Sequence, residues 1–353
     1  MNLTAYELKR TPNDNTRWGN LLLHDSHANY MSNLDYEYSK DSKGRVTTGF
    51  IFSQNSNDIA GCHYSIKKSA TNLISVSDIK SGIHFNSEPN HHNYKEVLDH
   101  YLNWAKRNKV SYARINSWLP KIVDSKPVNY SIEIEGLLKN KGFTPIAKPK
   151  HTYWIDLTQS EEVLLEKMKR QTRYDARQGE KNGLEIQQFT TPDEKSIDVF
   201  LKLYNSLGNQ KGFEILAEAK MKSELYLLLT NKLATLFLLT FNGIVVNASL
   251  VGSYGYAQYL YGAINPNFKQ LKGCPPPGAI AQWEMIKEMK RRGLALYDMG
   301  FCPGPVPDPN HPKYPIWRFK YGFGGEPVEF LPVYGKVIQP IRGRLFYFLN
   351  VKK

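Results

Sequence analysis

Apolar residues recur along this chain with two periods, and the two alternate in a repeated order. "RVTTGFIFSQ" (45–54) and "DIAGCHYSIK" (58–67) read as strands joined by a polar turn rich in Asn and Ser. "NYKEVLDHYLNWAKRNK" (93–109) then places Val97, Leu98, Tyr101, Leu102, Trp104 and Ala105 at helical spacing, and the strand "SYARINS" follows. In the second half, "ATLFLLTF" turns at Asn242-Gly243, a strong hairpin signal, into "IVVNASLVGS". A second turn near Tyr254-Gly255 leads to "AQYLYGAI", then to a helix inside "QLKGCPPPGAIAQWEMIKEMKRRG" (270–293), then to the strand "ALYDMG". Both halves predict an antiparallel meander, a helix and one more strand.

Two helices are signalled ahead of the second meander. Thr158 and Glu161 have capping-box spacing for "SEEVLLEKMKRQTRYDARQGEKNG" (160–183). Thr191, Pro192 and Glu194 do the same for "DEKSIDVFLKLYNSL" (193–207). The order helix, helix, meander, helix, strand is that of the acetyltransferase (GNAT) fold. The expected architecture is therefore α+β, with GNAT-like domains over residues 1–150 and 151–324 and residues 325–353 packing back on the first.

Composition narrows the function classes. Apolar and aromatic residues make up 41% of the 353 residues, enough for sizeable cores. Lys and Arg outnumber Asp and Glu by 46 to 33, a formal charge of +13 that favours a polyanionic partner: nucleic acid, a nucleotide-linked substrate or an anionic membrane surface. The most apolar window, from Leu225, is interrupted by Asn231 and Lys232, so no transmembrane segment is expected, and the N-terminus has no signal-peptide core. Cys62, Cys274 and Cys302 are too few for a disulfide framework, which makes the cytoplasm the economical location. HExxH, GxSxG and Walker motifs are absent, so an enzyme of this sequence is expected to need neither a metal nor a covalent nucleophile.

Four stretches carry candidate chemistry. Arg170, Arg173, Arg177 and Lys181 are spaced 3, 4 and 4 apart and would share one helix face able to track the phosphates of a tRNA. A solvated face partly neutralised by Glu166, Asp175 and Glu180 has the same pattern. The segment Gln270–Cys274 resembles the loop that grips the acetyl-CoA pyrophosphate through main-chain N–H groups. Pro275, Pro276 and Pro277 then remove three successive donors, which argues against CoA. A proline-stiffened loop with no ligand is the alternative. In "YPIWRFKYGFGGEP" (314–327), Lys320 beside Phe319 could stabilise an oxyanion or simply snorkel at the surface. Tyr254, Tyr256, Tyr259 and Tyr261 could line a cleft from one strand face, or pack ordinarily.

Taken together, the duplication, "KRQTRYDARQGEKNG", "YLYGAI", "IAQWEMIKEMKRRGLALYDMG" and "RFKYGF" resemble the FemABX family over nearly the whole chain. The resemblance implies tandem GNAT-like domains that transfer an amino acid from aminoacyl-tRNA to an amine of a peptidoglycan precursor, with no metal and no CoA. It assigns Lys320 the oxyanion, with Phe319 beside it, and Lys40 the acceptor's phosphates. Two departures stand out. Gln210 occupies the place of a family arginine, leaving the adjacent Lys211 as a point charge, and no heptad segment provides a coiled-coil arm. The missing arginine fits a peptide or small-molecule natural-product acceptor at least as well as a murein precursor. A monomer is expected, since duplication supplies a second domain. An acyl-CoA-dependent N-acyltransferase and a non-catalytic RNA- or precursor-binding module are the competing readings.

Overall fold

A computed structural model describes residues 3–87, 90–211, 217–304 and 306–351, without the side chains of 180, 181 and 209–211. It divides into two compact units, Met1–His151 with Val328–Lys353, and Thr152–Pro327.

In the first unit, the strands run in the order Thr4–Glu7, Arg45–Gln54, Asn57–Lys68, Ser75–Ile79, Tyr112–Ile115, Tyr334–Val337 and Thr144–Pro145. Successive pairs are antiparallel except Ser75–Ile79 with Tyr112–Ile115, which are parallel. The helix His91–Arg107 buries Val97, Leu98, Tyr101 and Ala105 completely against this sheet. Asn90 caps its start through its side chain.

A polar chain is sealed under the sheet. Ser81 Oγ bridges His63 Nε2 at 2.9 Å and His84 Nε2 at 3.0 Å, and His84 Nδ1 lies 2.5 Å from Asp25 Oδ2. Trp18 packs edge-on to both histidine rings. Burial drives the His63 imidazole down to about 4, only partly opposed by the nearby Glu37 carboxylate and a hydrogen bond to the Met31 main chain.

The second unit repeats the plan. Its sheet runs Leu184–Phe189, Ala234–Phe241, Ile244–Tyr254, Tyr256–Ile264, Leu296–Asp298, His151–Asp156. Asn242 and Gly243 both have positive φ, as the predicted hairpin requires. Tyr256–Ile264 and Leu296–Asp298 pair in parallel over two rungs only, Ala257↔Tyr297 and Gln258↔Asp298.

Local details correct three expectations. The single helix over 160–183 is three: Glu161–Lys167, Arg170–Ala176 and Gln178–Lys181. Neither proline nor glycine breaks the first; Met168 and Lys169 are extended because Met168 is buried in the core and Lys169 N–H donates to the Gly322 carbonyl at 2.9 Å. The first cap is Ser160, whose Oγ accepts from Val163 N–H, while Thr158 turns back to Asp156. The helix Glu194–Lys211 is entered through Asp193, which accepts from Ser196 N–H, rather than through Thr191.

His63 sets an acid limit on the first unit. Its folded value lies below the ordinary 6.5, so the unfolded chain binds the extra proton between those values, and stability falls as pH drops from 6.5 towards 4. The loss attributable to His63 is about 3 kcal/mol. Urea unfolding at stepped pH measures it, and His63→Gln, which can still pair with Ser81, flattens that slope.

Candidate functional site

In the second unit, the two parallel strands part after Gln258 and Asp298, and the amine of Lys320 sits where they part. Lys320 lies on the helix Tyr314–Tyr321, whose Trp317 is buried and donates from Nε1 to Tyr153 Oη at 3.0 Å. Its neighbour Phe323 is also in the core. This packing turns Lys320 inwards, leaving it only 6% exposed. Its Nζ donates to the Phe301 carbonyl at 2.8 Å and lies 5.8 Å from the centre of the Tyr259 ring. Burial pulls the ammonium down to about 8, against the opposing pull of Cys302 and Asp298. The site therefore holds an amine that keeps its charge near neutrality but is poorly solvated.

Asp298 builds the turn that receives it. One carboxylate oxygen accepts from Gly300 N–H at 2.7 Å and from the Thr152 hydroxyl, and the other is 3.4 Å from Gln258 Nε2. Burial raises the Asp298 carboxyl, with the Thr152 and Gly300 hydrogen bonds opposing the rise. Gly300 has φ of 74°, and a Cβ there would lie 2.5 Å from the Tyr259 carbonyl. Asp298, Thr152 and Gly300 were not singled out in the sequence. The Asp-x-Gly ending of "ALYDMG" was their only signal.

Of the sequence candidates, Lys320 and Tyr259 come together here, and Phe319 is the residue before Lys320 on the same helix. Phe319 stacks edge-on with Phe323 and lies close to Gly278, in the first turn of the helix Pro277–Arg291. Pro277 takes the first helical position, with Pro275 and Pro276 leading into it. The tyrosines do not share a face. The register shifts between Leu250 and Val251, which pairs Tyr261 with Leu250 but Tyr259 with Val251 and turns those two rings to opposite sides. Tyr259 faces Lys320 and packs on the core there, whereas Tyr261 meets Tyr204 of the helix Glu194–Lys211. Tyr254 and Tyr256 pair with each other at the hairpin end.

The basic segment adjoins the same helix end. Besides the Lys169–Gly322 hydrogen bond, Lys169 Nζ stands 4.5 Å over the Tyr321 ring. Arg170 and Arg177 are exposed, and Arg173 reaches back to the Glu166 carbonyl. The side chains of Lys181, Gln210 and Lys211 lie outside the described residues.

Lys40 belongs to the first unit, in a cluster around a buried carboxylate. Glu37 ion-pairs with Arg45, and Lys40 and Lys80 approach it at 3.6 and 3.7 Å. Desolvation works against the Glu37 charge, but Lys80, His63, Lys40 and Arg45 outweigh it and hold the carboxyl below its ordinary range. The Lys40 amine also sits 3.5 Å over the Tyr36 ring. Beyond Lys80, at the carboxyl ends of the parallel pair, a cleft of about 430 Å³ is lined by Lys80, Arg114, Asn116, Trp118 and Lys150, with Asp78 bound to Arg114. Sequence reasoning missed these groups because they come from three separate stretches of the chain, at 78–80, 114–118 and 150.

Comparison with known proteins adds a lineage to this geometry. The sequence profile of the FemAB family matches residues 131–219 and 242–353. No curated protein matches in sequence. Among solved structures, FemX superposes with a TM-score of 0.78 at 16% identity, covering 98% of this chain and 99% of FemX. A tandem GNAT protein from the clavulanic acid biosynthesis pathway gives 0.57 at 12% identity, covering 96% of this chain and 99% of that one. L-PGS from Bacillus licheniformis gives 0.50 at 12%, covering 96% and 95%. The architecture is that of two tandem GNAT-like domains, α+β in class.

The Gly300 turn offers a direct test of how tightly the site is built. Gly300→Ala adds a methyl against the Tyr259 carbonyl in a positive-φ position and is expected to lower stability by about 2–3 kcal/mol. Urea denaturation checks the value; an unchanged midpoint would show that the two strands part more freely than their contacts indicate.

Proposed function

Since this chain belongs to the FemAB family of transferases, we propose that it moves an aminoacyl group from aminoacyl-tRNA to an amine, forming an amide bond. The acceptor is an amine of a peptidoglycan precursor or of a peptide or small-molecule natural-product intermediate. The observation that carries the proposal is the buried Lys320 ammonium, aimed into the gap between two parting parallel strands.

An aminoacyl ester is already activated. The acceptor amine attacks its carbonyl carbon, the new C–N bond forms, and the carbonyl oxygen takes up negative charge. Lys320, held in a poorly solvated place at a fixed distance from the Phe301 carbonyl, stabilises that charge better than water would. Collapse breaks the C–O bond to the ribose, and the proton lost by the amine ends on the ribose oxygen. Phe319 walls the site, and Tyr259 borders the ammonium. The exposed Arg170 and Arg177, with the half-buried Arg173 between them, supply phosphate contacts for the tRNA stem, as charge-assisted hydrogen bonds. In the first unit, Lys40 supplies a phosphate contact for a nucleotide- or lipid-linked acceptor. Arg114, bound to Asp78, together with Lys80 and Lys150, adds further cations at the neighbouring cleft. The reaction as written needs no cofactor beyond the tRNA ester. The three prolines before Gly278 support that reading, because a pyrophosphate cradle there would lack three N–H donors.

The test is a transfer assay with total charged tRNA and a panel of murein precursors and short peptides, read by mass spectrometry, beside a ribonuclease-treated control and an acetyl-CoA reaction. A product heavier by one amino-acid residue, formed only with intact tRNA, is expected. Product from acetyl-CoA alone would overturn the proposal. Lys320→Ala should lower turnover ~10²–10³-fold without loss of folding or tRNA binding. The wild-type rate should fall as pH rises through about 8, because the deprotonated amine no longer stabilises the oxyanion. That limb should be missing from the residual rate of Lys320→Ala.

A further inference from the structure

The helix Pro340–Asn350 has two apolar faces, one turned inwards and one largely exposed. Gly343, Phe346 and Tyr347 turn inwards. A Cβ at Gly343 would lie 2.3 Å from the Ser111 carbonyl, and both aromatic rings lie against Tyr112. On the opposite side, Ile341, Leu345, Phe348 and Leu349 are 86, 50, 57 and 56% exposed. Their spacing of 4, 3 and 1 gathers them into an arc of about 100°. Arg342 and Arg344, both exposed, fall one on each edge of that arc. Among the described residues, no helix is long and apolar enough to cross a membrane.

The segment carrying this stripe has charges of one sign. Residues 331–353 contain Lys336, Arg342, Arg344, Lys352 and Lys353 and no Asp or Glu. The helix begins beside Ser111, whose carbonyl accepts from Ile338 and Gln339 N–H, two residues after the exposed Lys109 and close to exposed Lys106 and Arg107. Burial depresses the Lys336 ammonium, and the like charge of neighbouring Lys106 adds to the shift. The turn bearing Leu73, another exposed apolar residue, is tied to the same loop by Ser75 Oγ donating to the Lys109 carbonyl at 3.2 Å.

We infer that the exposed face of the helix Pro340–Asn350 docks on an anionic lipid surface, with its apolar stripe entering the headgroup region and the arginines at its edges meeting lipid phosphates. The pattern is that of an interfacial helix: an apolar arc bordered by arginines, on a chain with a formal charge of +13. A second copy of the chain is a poorer occupant. Stable interfaces bury about 800 Å² per partner, well beyond what one stripe of four side chains offers, and a two-fold contact would press like-charged arginines together. The helix end also borders the cationic cleft, through Asn350 and Val351, so a docked chain would hold that cleft near the bilayer.

The experiment is co-sedimentation of the full chain with vesicles of phosphatidylglycerol mixed with phosphatidylcholine, and with phosphatidylcholine alone, across a salt series. No acceptor or tRNA is present, so the result is independent of the transfer reaction. The wild type is expected to pellet with the anionic vesicles and to be released by salt. Two variants, the triple Ile341→Ser, Leu345→Ser and Phe348→Ser, and the double Arg342→Glu and Arg344→Glu, should each bind at least about tenfold more weakly. All five positions are exposed, and circular dichroism checks that both variants fold. Failure of the wild type to pellet, or equal binding by the variants, overturns the inference. So does a dimer in light scattering that the triple variant abolishes, since the face would then belong to a second copy.

Discussion

The hydrogen bonds that Asp298 accepts from Gly300 N–H and the Thr152 hydroxyl fix the place where the second sheet opens. A carboxylate with no exposure costs free energy to bury and repays it only when its lone pairs are filled. Filling them bends the chain at Gly300 towards the Tyr259 carbonyl, and Phe301 then presents the carbonyl that Lys320 donates to. An amine in that position keeps its charge because the Phe301 carbonyl accepts from it and Asp298 lies near, yet is shifted because burial strips it of water. The reactivity proposed for the protein rests on this balance between desolvation and local partners.

The first unit uses the same device for a different end. Glu37 is buried among Arg45, Lys40 and Lys80, and the histidine–serine–aspartate chain beneath it keeps neutral His63 close by. The carboxylate gathers cations at the carboxyl ends of a parallel strand pair, where the cleft with Arg114, Trp118 and Lys150 opens. Each GNAT-like domain thus places its polar site where two parallel strands part. One presents a single buried cation, and the other a group of partly exposed ones suited to a larger anion.

Family membership and the proline run bear on different questions. The profile match and the FemX superposition establish lineage and fold, and at this level of identity a shared fold leaves the substrate open. The prolines speak to chemistry, because their missing N–H groups follow from covalent structure and hold in any conformation.

Much of the architecture was legible from the chain itself, for a physical reason: periodicity and turn chemistry are local. The Asn242-Gly243 hairpin, the helix over Val97–Ala105 and the strands around it depend on neighbours a few residues away. So does the missing donor at each proline. Lys320 was legible as a candidate through the family resemblance of "RFKYGF", since the local pattern alone fitted a surface lysine equally well. What only the tertiary structure decided depends on partners far apart in sequence. Met168 broke a helix whose local pattern was unbroken, because the core claimed its side chain. The bulge at Leu260 split tyrosines that alternate in sequence. Asp298, Thr152 and Gly300 became a site only when separate strands met, and the burial that shifts Lys320 is a property of the packed fold, which no stretch of sequence carries alone.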